Sequence, residues 1–276
     1  MQEIRIRQLV KGTLVREGAG VKLHRYIGVE QTNAFEPILL FDYFDSSDSL
    51  DYIAGFPPHP HRGFETITYL IHGIIAHEDN QGHKGAINSG GVQWMTAGKG
   101  IIHSEMPSSS SGRLQGLQMW LNLPAAQKMS EPRYQEIAQE QLPVETMDSG
   151  VVIKVIAGRT DQGTSSPINN IATHPLFFDM SLPAGSRAKQ RIPRDYQSIL
   201  FVLSGEVSIA GRKVQQHVLA NLGTGDVVTL KGDQESRCLL IAAAKIHEPI
   251  VRYGPFVMNT QQEIAQAMDD FRSGRF

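Results

Sequence analysis

The sequence is poor in the features that mark secreted, membrane and nucleic-acid-binding proteins. Its 276 residues include a single cysteine, Cys238, which excludes an internal disulfide or a cysteine-rich zinc site and favours a reducing compartment. No apolar run reaches transmembrane length, and the polar start, Met1 to Arg7, does not resemble a signal peptide. The net charge of -2 provides no basic field for nucleic acid. We therefore expect a cytoplasmic protein with no membrane partner and no direct nucleic-acid partner.

Glycine and proline, by contrast, are plentiful and divide the sequence into short segments. The 26 glycines and 14 prolines separate runs in which apolar and polar residues alternate, a pattern typical of antiparallel strands. The stretch from His59 to Leu70 is interpreted as one long strand, because it is rich in β-prone residues. The interval from Pro124 to Pro143 lacks this pattern and is interpreted as a connection. The sequence thus predicts an all-β protein with two domains, residues 1–135 and 136–276.

The end of the chain follows a helical period instead. Thr260 and Glu263 match a capping box. Apolar residues follow at the spacing i, i+3, i+4, i+7, namely Ile264, Ala267, Met268 and Phe271. This pattern predicts a short amphipathic helix at the end of the second domain, packed across one barrel.

Two short motifs, His59-x-His61 and His103-x-Glu105, carry the clearest chemical signal. Residues two apart on an extended strand lie on the same face, so two such strands facing each other would bring three imidazoles and one carboxylate together. This donor set suits a first-row divalent metal such as iron(II), manganese, nickel or zinc. An octahedral ion with four protein ligands keeps two positions free, which is enough for a substrate oxygen and for O2.

Other interpretations of the histidines have less support. A single His-x-His motif is weak evidence in a sequence with ten histidines, but the second motif strengthens the metal interpretation. No Gly-x-Ser-x-Gly elbow is present, so a serine hydrolase has little support. A second site could form from His77, Glu78, Asp79 and His83, although we prefer hydrogen-bonding roles for them.

Several motifs along the chain resemble those of the pirins, a branch of the cupin superfamily. They are HPHRGFET (59–66), HED (77–79), VQWMTAG (92–98), HSEMP (103–107), QGLQMW (115–120) and GPFVMN (254–259). The resemblance covers nearly the whole chain. It implies a bicupin, which consists of two tandem antiparallel β-barrels of the jelly-roll type, here with a short C-terminal helix.

The resemblance also implies where the metal binds. Iron is expected in the N-terminal barrel, bound by residues at the positions of His59, His61, His103 and Glu105. The second domain contains no His-x-His or His-x-Glu motif, so we expect it to lack metal ligands. Iron(II) is the first choice of cofactor, and manganese, nickel, zinc or copper would fit the same donors.

Two further residues are candidates beside the metal ligands. Ordinary cupins often take the fourth ligand from the glutamate four residues after His-x-His, here Glu65, whereas the pirin pattern takes Glu105. On one continuous strand Glu65 would face the same side as His61, so we expect it to orient a ligand histidine. Phe56, shortly before the first motif, is a candidate for the wall of the substrate pocket.

Some pirins are quercetin 2,3-dioxygenases, also called flavonol 2,4-dioxygenases, and the resemblance implies this activity as a hypothesis. A flavonol offers an acidic 3-hydroxyl group that can bind the metal as an anion next to O2. Glu105 would accept the proton of that hydroxyl group. The partners would then be a flavonol-like small molecule and O2.

Two alternatives remain open at this point. The resemblance to other pirins also implies a metal-dependent regulator that binds a protein partner, either as a transcriptional co-regulator or as a modulator of a metabolic enzyme. A storage or structural bicupin without metal is the third hypothesis, but four converging ligands without an ion would be buried at a cost of about 1–3 kcal/mol each. Because one chain already supplies two barrels, we expect a monomer.

Overall fold

The computed structural model describes residues 1–29 and 33–276, and most of this part is β-strand. In chain order the strands are β1 (Ile6–Lys11), β2 (Thr13–Glu17), β3 (Val21–Ile27), β4 (Ile38–Ser46), β5 (Phe56–His61), β6 (Phe64–His72), β7 (Ile74–Asp79), β8 (Lys84–Asn88), β9 (Val92–Thr96), β10 (Ile101–Ser108), β11 (Leu114–Asn122), β12 (Arg133–Ile137), β13 (Val144–Thr146), β14 (Val152–Ala157), β15 (Leu176–Leu182), β16 (Arg187–Arg191), β17 (Tyr196–Ser204), β18 (Glu206–Ile209), β19 (Arg212–Gln215), β20 (Val218–Leu222), β21 (Val227–Gly232), β22 (Ser236–Ala244), β23 (Val251–Tyr253) and β24 (Phe256–Met258). Short 3₁₀ helices span Ser49–Asp51, Ala125–Gln127 and Gln139–Gln141. These assignments confirm the predicted all-β class.

The helix predicted near the end of the chain is present as α1 (Gln261–Arg272). It begins with the predicted capping box, in which Thr260 and Glu263 bond to each other's backbone N–H groups. None of the helices in the described part of the chain has the length and the apolar character that a membrane span requires.

The strands form two compact units. The first unit combines residues 13–139 with 246–276, and the second unit combines residues 1–12 with 140–245. The sequence-based division at residue 135 does not include these two exchanges. They arise because β1 pairs with β20, and because Arg62 forms a bridge with Phe256 and an ion pair with Asp270. No sequence pattern predicts that the two chain ends join these units, because their positions depend on pairing between distant segments.

The two units share one strand order. The first unit contains the sheets β12-β9-β6-β11-β4-β3-β2 and β5-β10-β7-β8, and the second contains β1-β20-β17-β22-β15-β14-β13 and β16-β21-β18-β19. Adding eleven to each strand number of the first unit gives the order of the second, except that β1 takes the edge position of β12. The molecule thus contains one architecture twice, as the sequence predicts.

The interior of the second unit is filled by apolar side chains, among them Phe178, Leu200 and Leu240. On β16 and β21, the counterparts of β5 and β10, Ala188 pairs with Leu230 inside this core. Cys238 is fully buried there, and burial raises the pKa of its thiol, as expected for an unreactive core cysteine.

The predicted long strand from His59 to Leu70 is wrong, because it is two strands in different sheets. β5 ends at His61 and β6 begins at Phe64. Gly63 makes the turn between them with φ of 86°, and a β-carbon at this position would collide with the carbonyl oxygen of Val257. This glycine therefore interrupts the alternation of side chains that a continuous strand would have.

A row of polar residues crosses the large sheet of the first unit. Register pairs them across adjacent strands in the order Arg25, Asp42, Gln118, Thr68, Gln93 and Glu136. Cross-strand partners project on the same face of a sheet. Thr68 contacts Glu105 of the small sheet, so this face points into the barrel. We call these six residues the polar row.

Candidate metal centre

Three histidines converge inside the first unit because β5 and β10 are antiparallel neighbours. His59 pairs directly with His103, and His61 lies two residues further along β5. Their ring centroids are 4.6 to 5.0 Å apart. Among the described residues, these three offer ligand atoms that all lie within 4.8 Å of one another. The structure therefore brings together the three histidines that the sequence motifs predict.

Burial keeps these imidazoles in the form that binds metals. His61 and His103 are almost completely buried, and His59 is half-buried. Burial and the neighbouring histidines lower the pKa of His61 far below its ordinary value, and burial lowers the pKa of His103 to about 3. Both rings are therefore neutral at physiological pH, with lone pairs available for a cation.

The ring nitrogens support a metal at this place. Nδ1 of His61 and both ring nitrogens of His103 are buried without a hydrogen-bond partner in the described part of the chain. His59 differs, since its Nδ1 lies 2.9 Å from the carbonyl oxygen of Pro57, which leaves Nε2 as the lone-pair donor. Unpartnered buried nitrogens are costly, and a divalent ion would bind one nitrogen of each ring.

Glu105 lies beside the histidines, although it is not part of the group of three. It follows His103 on β10 after a register shift, and it is buried. Thr68 Oγ1 lies 3.3 Å from its Oε1 and also donates to Gln118 Oε1 at 2.5 Å. Burial raises the pKa of Glu105, with smaller opposing contributions from His59 and Thr68. Its assignment as a ligand stays a prediction.

Glu65 has a different position from the one expected. The parity argument fails because the turn at Gly63 separates β5 from β6. On β6, Glu65 projects on the face opposite to Thr68, and its Oε1 accepts a hydrogen bond from Thr96 at 2.7 Å. Its hydrogen bond thus goes to a threonine on β9 and not to a ligand histidine.

A large cavity of about 980 Å³ opens beside the centre. His59, His61 and Glu105 line it together with apolar side chains, including Phe56 and Trp120. The Trp120 ring lies 5.4 Å from that of His61, and the Phe56 ring lies 6.4 Å from that of His59. Phe56 therefore has the position expected of a pocket residue, and Trp120 is an additional wall residue that the sequence interpretation did not identify.

The sequence interpretation also missed the polar side chains that surround the site. Thr68 contacts Glu105, and Gln118 contacts Thr68. Asp42 lies in the apolar segment FEPILLFDY. The signal was available, because a polar residue at an inward position of an apolar strand needs a partner. The partners themselves could not be identified without the register.

The histidines of the suspected second site form hydrogen bonds. His77 Nε2 lies 2.5 Å from Glu136 Oε1, and His83 Nδ1 lies 2.9 Å from Asp79 Oδ2. No group of three metal donors occurs here among the residues that the structure describes. These contacts agree with the preferred hydrogen-bonding interpretation.

Comparison with known proteins assigns the class and the family. A solved structure, the quercetin 2,3-dioxygenase from Acinetobacter baumannii, matches with a TM-score of 0.90 and 29% identity over 99% of this chain and 98% of that chain. Together with the duplicated barrels, this match makes the molecule a bicupin. The Pirin model matches residues 20–121, and the Pirin C-terminal cupin domain model matches residues 177–276. The chain therefore belongs to the pirin family.

Relatives of full length support this membership. A pirin-like protein from Caulobacter vibrioides is 46% identical over 98% of this chain and 98% of its own length. The pirin of Homo sapiens is 43% identical over 94% of this chain and 89% of its own length. The similarity thus extends across both units of the chain.

Proposed function

We propose that this pirin is an iron-dependent quercetin (flavonol) 2,3-dioxygenase. The observation that carries the proposal is the cavity of about 980 Å³, which His59, His61 and Glu105 line together with aromatic side chains. The match to a structure described as a quercetin 2,3-dioxygenase gives independent support. A reducing, cytoplasmic setting, which the single cysteine favours, would suit an iron(II) centre.

The ligand set of the proposal is His59, His61 and His103 with Glu105 as the fourth donor. These donors accept several first-row ions, including manganese, nickel, zinc and copper, and the proposed activity selects iron(II) among them. When bound, iron supplies a Lewis acid for a substrate oxygen and electrons for O2 chemistry.

Glu105 is the base of the proposed reaction. A flavonol carries an acidic 3-hydroxyl group, and a buried carboxylate with a raised pKa is suited to accept its proton. Thr68 Oγ1 lies 3.3 Å from Oε1 of Glu105, and this close contact limits the orientations of the carboxylate.

The walls of the cavity suit a flat polyphenol. Phe56 and Trp120 flank the histidines, and Leu40 and Ile250 add aliphatic surface. Such walls bury aromatic rings and exclude water, which strengthens the electrostatic interactions at the reacting end of the substrate.

The test is O2 uptake by protein that has been loaded anaerobically with iron(II) and then given quercetin. The proposal expects O2 consumption that matches the loss of flavonol in the unchanged protein and no consumption in His103→Ala. Glu105→Gln should lose turnover. If this variant keeps its iron and its full rate, Glu105 is not the base.

An observation beside the site keeps a second candidate function, a metal-dependent regulator with a protein partner. Met106 follows Glu105 on β10 and is 43% exposed. Leu50 and Ile53 are exposed apolar residues in the segment before β5. Contiguous patches of exposed apolar side chains are typical of partner surfaces. Iron-loaded protein that consumes no O2 with any flavonol, but captures a partner in one iron oxidation state alone, would favour this function.

A further inference from the structure

The cavity has a second polar end, formed by Glu17, Arg25 and Asp42, which we call the polar cluster. Arg25 donates from Nε to Asp42 Oδ1 at 2.8 Å and from Nη2 to Asp42 Oδ2 at 2.7 Å. Its Nη1 lies 2.8 Å from Glu17 Oε1. Asp42 is only 3% exposed, so its carboxylate is largely withdrawn from water.

The polar row fixes how far this cluster lies from the metal centre. Asp42 pairs with Gln118, and Gln118 pairs with Thr68, which contacts Glu105. Adjacent strands are about 4.8 Å apart, so two strand spacings place Asp42 about 10 Å from Thr68. A flavonol bound through its 3-hydroxyl group at the histidines would extend its outer rings over a comparable distance.

The cluster keeps capacity to accept hydrogen bonds. Each oxygen of Asp42 accepts one bond from Arg25, and a carboxylate oxygen can accept a further donor. Burial raises the pKa of Asp42 to about 6, so the carboxylate is ionised at neutral pH. Hydrogen bonds to charged acceptors are stronger than bonds between neutral groups. A phenolic hydroxyl is a donor of suitable strength and shape.

We propose that the polar cluster is a subsite for phenolic hydroxyl groups at the end of the substrate remote from the metal. The inference rests on the proposed flavonol activity and specifies its substrate class as flavonols that carry hydroxyl groups on their outer rings. A site that forms hydrogen bonds with a hydroxyl group discriminates against an analogue that lacks it, because its buried polar groups then lose their partner.

The test compares quercetin with 3-hydroxyflavone, which keeps the reacting end but lacks the outer hydroxyl groups. Binding is measured anaerobically by titration of iron(II)-loaded protein, and turnover is measured separately by O2 uptake. The unchanged protein should bind quercetin at least about tenfold more tightly. Asp42→Asn and Glu17→Gln should each reduce this ratio. Because both ligands are measured on one preparation, partial misfolding of a variant cancels in the ratio.

Asp45→Asn is the matched control. Asp45 also lies on β4 and forms a two-bond ion pair with Arg113 at 2.9 and 3.0 Å, but it is outside the residues that line the cavity. This variant should keep the ratio of the unchanged protein. Equal affinity for the two ligands, no binding of either, or a ratio that Asp42→Asn leaves unchanged would overturn the subsite. Selective binding without turnover would instead overturn the dioxygenase and leave the subsite intact.

Discussion

At the scale of single residues, burial decides the chemistry of the metal centre. His61 and His103 are removed from water, and among the described residues Nδ1 of His61 and both ring nitrogens of His103 have no hydrogen-bond partner. A histidine in this state is neutral and under-bonded, which is the condition of a metal ligand before the ion arrives. His83 provides the contrast, because it is exposed and its Nδ1 bonds to Asp79.

Glu65 should make stability depend on pH. Burial raises the pKa of its carboxyl group from 4.5 to about 7, so between these values the folded chain keeps a proton that the unfolded chain has lost. The free energy of unfolding should therefore fall as pH rises through this interval, by about 3 kcal/mol from this group. Glu65→Gln should remove this fall, which chemical denaturation at pH 4.5 and pH 7.5 would measure.

The control for this prediction is Glu131→Gln, since the side chain of Glu131 is 78% exposed. It should follow the pH profile of the unchanged protein. If the free energy of unfolding depends on pH in the same way for Glu65→Gln and for the unchanged protein, the carboxyl group of Glu65 has the same pKa in the folded and unfolded chains, which would contradict the prediction.

Lys128 should be a strong contributor to stability. It is 1% exposed, and its Nζ donates to Gly63 O at 2.8 Å, Asn122 Oδ1 at 2.7 Å and Val257 O at 3.0 Å. Methionine would fill the space but leave three buried acceptors without a donor, so Lys128→Met should lower the free energy of unfolding by at least about 2 kcal/mol. Guanidinium denaturation measures the change.

Lys99→Met is the comparison for this variant. Lys99 forms an exposed ion pair with Glu131 at 2.6 Å, and such pairs contribute less than about 1 kcal/mol. If the two variants lose the same stability, the buried contacts of Lys128 are not the cause.

The position of a side chain could be predicted from the sequence where it depends on neighbouring residues of one strand, and not where it depends on the pairing of separate strands. The spacing of His59 and His61 alone placed both side chains together, because the alternation of one strand is a local property. The same rule failed for Glu65, because Gly63 makes a turn between His61 and Glu65. Thr68 and Gln118 needed the register of separate strands, which the sequence does not contain.

At the scale of elements, the C-terminal segment supports the strand that carries two of the histidines. The backbone of β24 bonds to Arg62, since Val257 N donates to Arg62 O at 3.0 Å. The Arg62 side chain, 3% exposed, bonds to Asp270 of α1 at 2.7 Å and lies over the ring of Phe276. The residue after His61 is thus fixed from two sides.

Asp270→Asn should destabilise the first unit. The change leaves the buried charge of Arg62 without its carboxylate partner, which costs about 3 kcal/mol. Asp269→Asn is the matched control, because Asp269 is its neighbour on α1, is 68% exposed and pairs with Arg275. Thermal or denaturant unfolding should separate the two variants, and equal midpoints would contradict the role of this ion pair.

The helix itself was predictable, and its location was not. The capping box and the apolar spacing after Thr260 predicted α1 correctly, since both signals lie within one short segment. It packs on Phe256 and Met258, and its Asp270 pairs with Arg62, which joins the chain end to residues 13–139. The sequence-based division assigned the helix to the second domain because it followed order along the chain.

At the scale of the whole molecule, the two copies of the architecture differ at one pair of strands, which carries histidines in the first unit and apolar core residues in the second. Both units repeat the same strand order, but the strand pair β16 and β21 carries apolar core residues where β5 and β10 carry histidines. The sequence predicted the repeat, because the pattern of strands and turns recurs within the chain, and the lack of metal ligands in the second unit stays a prediction. The exchange of β1 into the second unit could not be predicted, since an edge strand pairs through its backbone.

The most direct test of the account is the metal content of the chain. Protein loaded anaerobically with iron(II) and then desalted is analysed for iron by mass spectrometry, in the unchanged form and as His103→Ala and His83→Ala. The unchanged protein and His83→Ala should each hold one ion per chain, and His103→Ala should lose most of the iron. An unchanged protein that retains no metal, or a His103→Ala variant that retains as much as the unchanged protein, would contradict the metal centre.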